Sequence, residues 1–343
     1  MRYVVGFVLL LCCQCGYSQK GKLKFVVNPY LQVGYNPSQS SLKLLWQTEN
    51  LGANWIVEYK SEKKSDWIKS ITPEFKIINI SGTPVHRLYE TEFTNLIPGE
   101  MFSYRVIKND SIVFISQAHA AKAKNQDQNF IVFGDIGAGS TDAINIAKGV
   151  YNAKADIAFI PGDIVYDNGL IREYNRRFWP IYNADTSNEY GFPIMSKIPF
   201  VAAVGNHDAD TRNLNKYPDA LAYYYYWQQP LNGPLFQEGT NVLPALIASD
   251  ENRRAFLDAA GEAYPRMTNF SYDYGNAHWL VIDADVYMDW TDKELLDWVK
   301  SDLEKAKNAE WKFVLFHQPG FNSSKEHYEE QQMRLLSPIF EAG

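Results

Sequence analysis

Four stretches of this 343-residue chain run from apolar residues into side chains that bind hard cations. Phe130-Ile-Val-Phe-Gly-Asp135-Ile-Gly137 supplies a carboxylate, and Ala158-Phe-Ile-Pro-Gly162-Asp163-Ile-Val-Tyr166 a carboxylate and a phenol. Phe200-Val-Ala-Ala-Val-Gly205-Asn206-His207-Asp208 adds an amide, an imidazole and a carboxylate, and Trp311-Lys-Phe-Val314-Leu-Phe-His317 a second imidazole. Taken singly, each has an ordinary explanation. An Asp after a buried strand is more often a helix N-cap, Gly-Asn-His is a turn, and a lone strand-end His is a hydrogen-bonded, half-buried residue. Repeated in order at four strand ends, the set reads as a metal site. Its oxygen-rich donors suit Fe, Mn or Zn over a soft metal.

The elements that must position these groups are legible in the apolar pattern. Buried-strand runs at 130–134, 157–161, 200–205, 278–283 and 311–316 alternate with helical segments at 142–153, 170–182 and 291–309. Thr291-Asp-Lys-Glu294 reads as a capping box, with Leu295, Val299, Leu303 and Ala306 on one face of the helix that follows. This is a layered α/β domain, and ligands gather at the carboxyl edge of such sheets. Glycines before Asp135, Asp163 and Asn206 let the backbone turn sharply at the strand ends. Residues 209–265 follow no period. Within them Tyr223-Tyr-Tyr-Tyr-Trp227 is read as packing an insertion over the core rather than stacking a ligand.

Ahead of this domain, residues 23–122 alternate with period two. Leu42, Leu44 and Trp46 point one way and Lys43 and Gln47 the other, and Trp55, Val57, Tyr59 and Phe102, Tyr104, Val106 repeat the pattern. Turn signals at Asn36-Pro37, Ser81-Gly82 and Pro98-Gly99 separate the strands, which predicts an antiparallel sandwich. The polar stretch 122–128 is the linker. The organisation expected is therefore 1–18 signal peptide, 19–122 β-sandwich and 129–343 α/β domain.

Composition narrows the function classes. Forty-six per cent hydrophobic and 15% aromatic residues fill real cores, which excludes disorder. A net charge of −7 without a basic stripe excludes a nucleic-acid scaffold as the main partner. Met1-Arg2 and the apolar run from Tyr3 to Cys13 form a leader too short to span a bilayer, with cleavage expected before Gln19 and a lipoprotein anchor as the less favoured rival. Losing residues 1–18 removes Arg2 as the one charged residue and leaves −8. It also removes Cys12, Cys13 and Cys15, all the cysteines, so thiolate ligation and disulfides are excluded. The protein is expected to be exported, extracellular or periplasmic, without a transmembrane segment.

The four motifs resemble the signature of calcineurin-like metallophosphoesterases, and within them the purple acid phosphatases: Asp-x-Gly at Asp135/Gly137, Gly-Asp-x-x-Tyr at Gly162/Asp163/Tyr166, Gly-Asn-His-Asp at Gly205/Asn206/His207/Asp208 and Val-x-x-His at Val314/His317. Most other branches carry Asp-x-His first and lack the phenol. The segment 96–106 likewise resembles the tyrosine-corner strand of fibronectin type III-like domains, with Phe102 at the corner where no hydroxyl bond can form. The resemblance implies a dinuclear centre of Fe(III) and a divalent metal (Fe, Zn or Mn). Asp135, Asp163 and Tyr166 would hold the first ion, Asp163 would bridge, and Asn206 and His317 would hold the second. It also implies that His207 contacts phosphate and protonates the leaving oxygen, that Asp208 orients His207, and that His327 is a second substrate contact. The substrate would be a phosphorylated small molecule or a phosphoprotein. Of the other histidines, His86 and His119 are expected at a surface or interface and His278 in the core.

The family's fifth motif, Gly-His-x-His, does not occur before Gly343, and the chain reads as an incomplete metallophosphoesterase domain whose ions each lack one imidazole. Two rival readings follow: a non-catalytic binding protein that keeps the fold, and a phosphodiesterase or nucleotide-cleaving relative.

Overall fold

The structure is a computed structural model that describes residues 25–325 and 327–343. The expected signal peptide lies outside the described residues. Among the described residues no helix is long and apolar enough to cross a membrane.

Eight strands build the first half: β1 (Val27–Gln32), β2 (Leu42–Glu49), β3 (Trp55–Ser61), β4 (Ile68–Lys69), β5 (Glu74–Ile78), β6 (His86–Phe93), β7 (Met101–Lys108) and β8 (Ser111–His119). They pair antiparallel in two sheets, ordered β1-β2-β6-β5 and β4-β3-β7-β8. Their inner faces meet through Leu42, Leu44, Trp46 and Tyr89 from one sheet and Trp55, Val57, Tyr59 and Tyr104 from the other. The alternation expected from the sequence holds because only one face of each strand meets the facing sheet. Phe102 indeed offers no corner hydroxyl. Tyr59 on the neighbouring strand supplies one instead, donating to the Thr94 carbonyl at 2.6 Å.

The outer face of β1-β2-β6, with the end of β5, is covered. Tyr30, Leu45, Ile78 and Leu88 share one core with the second half. Tyr104 donates to the Ser196 carbonyl (2.7 Å) and Tyr30 to that of Tyr226 (2.8 Å). His86 is buried in this contact, its Nε2 3.1 Å from the Tyr226 hydroxyl.

The second half opens with β9 (Phe130–Val132), α1 (Thr141–Ala153) and β10 (Ile157–Pro161). A helical stretch follows: α2 (Ile171–Glu173), a π turn (Tyr174–Phe178) and α3 (Trp179–Tyr182). Then come β11 (Phe200–Ala203), α4 (Asn206–Ala209), α5 (Tyr223–Tyr226), α6 (Asp250–Ala260), β12 (Phe270–Tyr274), β13 (Ala277–Val281), α7 (Lys293–Lys305), β14 (Trp311–Leu315) and α8 (Ser337–Ala342). Strands β11-β10-β9 form a parallel sheet. In the second sheet, β12-β13-β14, β13 pairs antiparallel with β12 and parallel with β14. The sheets face each other across Trp279, whose ring stacks on Phe159 at 3.6 Å and on Phe313 at 4.3 Å. Helices cover both outer faces: α1 and α5 belong to the core behind the first sheet, α7 to the core behind the second.

Two expectations change in detail and a third holds. The N-cap of α7 is Asp292, not Thr291, because its carboxylate accepts the Leu295 amide at 2.9 Å. Strand β12, between the aperiodic residues 209–265 and the run expected at 278–283, is an added strand: it pairs with β13 and four of its five residues are buried, so it carries little alternation. Tyr223 to Trp227 are all buried, packed over the core as read.

His278 is a core histidine held by charge. Its ring lies between Asp273 (Nδ1, 2.6 Å) and Asp302 on α7 (Nε2, 2.8 Å). Burial acts to lower its pKa, but the two carboxylates outweigh burial and raise it to about 9. Because the folded pKa exceeds the unfolded value, this pairing stabilises fully below about pH 6.5 and is lost as pH climbs through about 9. His278→Gln should therefore lower the melting temperature at pH 6 and hardly at all at pH 10. A pH-independent difference would contradict the ion-pair account. A second stability prediction concerns Gly149 on the exposed face of α1, where a Cβ would meet nothing within 4 Å. Gly149→Ala should stabilise the chain by about 0.5–1 kcal/mol in a urea titration. A loss of stability would show that the helix is strained there.

Candidate metal centre

The four motif segments meet at one place, but they arrive from two sheets. Asp135 follows β9, Asp163 follows β10 and Asn206 starts α4 after β11, whereas His317 follows β14 of the facing sheet. The junction is direct: His317 Nδ1 lies 2.8 Å from the Pro161 carbonyl at the end of β10. A carbonyl only accepts, so Nδ1 carries the proton and Nε2 is left to face Asp163 Oδ1 at 3.3 Å.

Ligand atoms of Asp135, Asp163 and His317 all lie within 4.8 Å of one another. The Tyr166 hydroxyl donates to Asp135 Oδ1 at 2.8 Å. Two carboxylates, a phenol and an imidazole whose Nε2 is turned toward Asp163 are a donor set that fits a hard cation. The local backbone is bent to achieve it. Asp135 and Asp163 themselves take left-handed φ values of +55° and +52°, conformations that non-glycine residues adopt at a cost of about 1–3 kcal/mol. The sharp turn thus falls on the acids, and of the three preceding glycines Gly162 alone has a positive φ.

Glycine matters here chiefly through contact. A Cβ at Gly205 would lie 2.3 Å from Asp163 Oδ1 and 2.9 Å from His317 Cδ2. At Gly137 it would lie 2.2 Å from the Val165 Cα, so no side chain fits where other branches place a histidine.

Electrostatics match the geometry. Burial would raise the Asp163 pKa, but His317, His207 and Tyr166 around it bring it below the ordinary value. His317 is the reverse case: burial lowers it, and Asp163 with the Pro161 carbonyl outweighs burial and raises it to about 9. The Tyr166 phenol is held protonated by burial and by the Asp135 and Asp163 charges.

Asp208 does not orient His207. The carboxylate, 1% exposed, accepts the backbone amides of Ile164 (3.1 Å) and Gly205 (3.0 Å), tying the loop after Asp163 to the start of α4. Burial first, then the nearby Asp163 charge, pushes it up to about 7. The His207 ring is held instead by the Asp167 carbonyl (Nδ1, 2.8 Å), with Nε2 3.9 Å from Asp163 Oδ2. The His207 amide also donates to Asp163 Oδ1 at 3.2 Å. The Asn206 Oδ1 receives Gln318 Nε2 at 3.4 Å, and the same nitrogen donates to buried Asp285. His327 is half-exposed, its Nδ1 2.9 Å from Glu330.

Sequence reasoning missed the supporting residues: Glu173, which binds the loop carrying Tyr166, and Gln318 with Asp285 behind Asn206. Glu173 had a weak signal, since a Glu at the third position of a helix reaches back to the N-cap amide. Gln318 had none beyond adjacency to His317.

Parallel and mixed sheets packed face to face, with hard donors at their joined carboxyl ends, define a layered α/β scaffold with a candidate site for a hard cation. Residues 129–341 match the calcineurin-like phosphoesterase family, and the chain belongs to it. Its relatives include two Arabidopsis thaliana proteins. One, named probable inactive purple acid phosphatase 27, is 27% identical over 59% of this chain and 31% of its own length. The other, purple acid phosphatase 18, is 23% identical over 62% of this chain and 40% of its own length. The solved purple acid phosphatase PPD1 of yellow lupin (Lupinus luteus) superposes with a TM-score of 0.60 at 17% identity, covering 88% of this chain and 52% of that one. The chain thus spans between about a third and about half of the length of these plant relatives.

Proposed function

We propose that this protein is an exported hydrolase of phosphate monoesters with a dinuclear metal centre of Fe(III) and a divalent Fe, Zn or Mn. The observation that carries the reading is the convergence of Asp135, Asp163 and His317 within 4.8 Å, with the Tyr166 hydroxyl on Asp135. Asp135, Asp163 and Tyr166 would hold one ion, and Asp163, Asn206 and His317 the other. When bound, such ions supply positive charge against the phosphoryl oxygens and acidify a water molecule.

The chain's own residues do the rest. Asp163 is fixed by the His207 amide and faced by His317, so its oxygens stay between the two sheets. His207, anchored through Nδ1, presents Nε2 toward the same carboxylate and toward the leaving oxygen of a bound ester, where it would deliver a proton. His327, held by Glu330, is proposed as the second phosphate contact. Export rests on the leader within residues 1–18.

The test is direct. Purified protein supplied with iron and zinc should bind two ions per chain and hydrolyse 4-nitrophenyl phosphate at acidic pH. It should hydrolyse bis(4-nitrophenyl) phosphate and nucleotides more slowly. Two bound ions without turnover of any ester would replace this reading with that of a binding protein, a possibility raised by the relative named inactive. Faster turnover of the diester or nucleotides would assign the phosphodiesterase class.

A further inference from the structure

Glu173 is 9% exposed and belongs to none of the motif segments, yet its carboxylate gathers the backbone of the loop that carries Tyr166. Oε1 accepts the Asp167 amide at 2.7 Å, and Oε2 those of Asn168 (3.0 Å) and Leu170 (2.9 Å). Three amides on one buried carboxylate form a rigid clamp, because hydrogen bonds to a charged acceptor are about twice as strong as neutral ones. The loop is braced further by Arg177, which donates to the Tyr166 carbonyl, and by the Thr211 hydroxyl on Asn168 (3.2 Å). What the clamp holds is the Asp167 carbonyl, the acceptor of His207 Nδ1–H.

We propose that Glu173 is a positioning residue which, by clamping the 167–170 amides, aims the Asp167 carbonyl at His207 and so decides which ring nitrogen faces the Asp163 carboxylate. Without the clamp the carbonyl turns away. The neutral ring then loses its reason to carry the proton on Nδ1, and the protonated ring, which gives its Nε2 proton to a leaving oxygen and is left as the Nδ1–H tautomer, is no longer held with Nε2 toward that oxygen. The catalytic half of this statement rests on the phosphoesterase reading above; the tautomer half does not.

The experiment separates the two. The metal-free full-length chain is labelled with ¹⁵N-histidine, and the His207 signals among the six histidines are assigned by their loss in His207→Asn. Wild type should show the Nδ1–H tautomer at pH 8. In Glu173→Gln, which cannot accept three amides with one oxygen, the Nδ1–H to Nε2–H ratio should fall about tenfold. Glu173→Asp, one methylene short, should shift it the same way and reads the effect should the Gln variant lose its cooperative melt. An unchanged ratio in the folded variants overturns the proposal. Kinetics then test the catalytic half with metals restored. Glu173→Gln should slow an alkyl phosphate, whose leaving oxygen needs a proton, about tenfold more than 4-nitrophenyl phosphate, and should add less than twofold in a His207→Asn background. Equal losses on both esters, or additivity with His207→Asn, would refute the route through His207. No hydrolysis by wild type would sink the phosphoesterase reading while the tautomer ratio still decides the clamp.

Discussion

On the phosphoesterase reading proposed above, Asp163→Asn should strip this protein of bound metal and of phosphatase activity together. Asp163 stands at the centre of the cluster, with His317 Nε2 3.3 Å from one oxygen and His207 Nε2 3.9 Å from the other. An amide keeps the shape but offers one neutral oxygen in place of two charged ones. Outer residues that only orient a metal ligand typically cost ten- to hundredfold in affinity when lost, so removing a shared ligand should exceed about a hundredfold. Elemental analysis after dialysis, with initial rates on 4-nitrophenyl phosphate, reads both quantities. Retention of two ions and full activity would eliminate Asp163 as the bridge. A melting temperature of the metal-free variant close to that of the wild type would show that the loss is chemical rather than structural.

Gly205→Ala should be nearly as damaging without touching a ligand. The new methyl would have to share space with Asp163 Oδ1 at 2.3 Å, the Asp163 nitrogen at 2.5 Å and His317 Cδ2 at 2.9 Å. The Asp163 nitrogen belongs to a backbone segment held by Asp208 through the adjacent Ile164 amide, so it cannot simply retreat. Overpacking of this kind costs about 1–3 kcal/mol, and what yields is the Asp163–His317 geometry. The expected result is a lower melting temperature and loss of tight metal binding. Gly149→Ala in the same background serves as the control, since its methyl meets open space. Unaltered metal affinity in Gly205→Ala would mean that the cluster is looser than its spacing implies.

Much of the site was legible because its residues follow buried strands, and a buried strand announces itself by a short apolar run that ends abruptly. Asp135, Asp163, Asn206 and His317 were read as candidates in this way, along with Tyr166 at its fixed spacing, and the structure brings ligand atoms of Asp135, Asp163 and His317 within 4.8 Å of one another. The period-two alternation of β2, β3 and β7 exposed the sandwich for the same local reason: one face meets the opposing sheet, and the other does not. Strand β12 escaped because four of its five residues are buried, which leaves little alternation to read. Glu173, Gln318 and Asp285 escaped because their roles lie in hydrogen bonds to groups distant in sequence or to backbone, and these leave no pattern in residue types.

By itself, the sequence determined which chemical groups are present, that each of the four sets sits at a strand terminus, and that no thiolate survives a cleaved leader; these depend on residue identity and on local periodicity alone. The tertiary structure alone decided that His317 reaches Asp163 from the facing sheet, that Asp208 grips backbone while the Asp167 carbonyl holds His207, and that the strain of the turns falls on Asp135 and Asp163. The physical reason is that a hydrogen bond is a matter of distance and direction in space: segments 40 to 44 residues apart acquire both only when β10 and β11 pair, and His317, 156 residues from Pro161, only when the two sheets close on each other around Trp279.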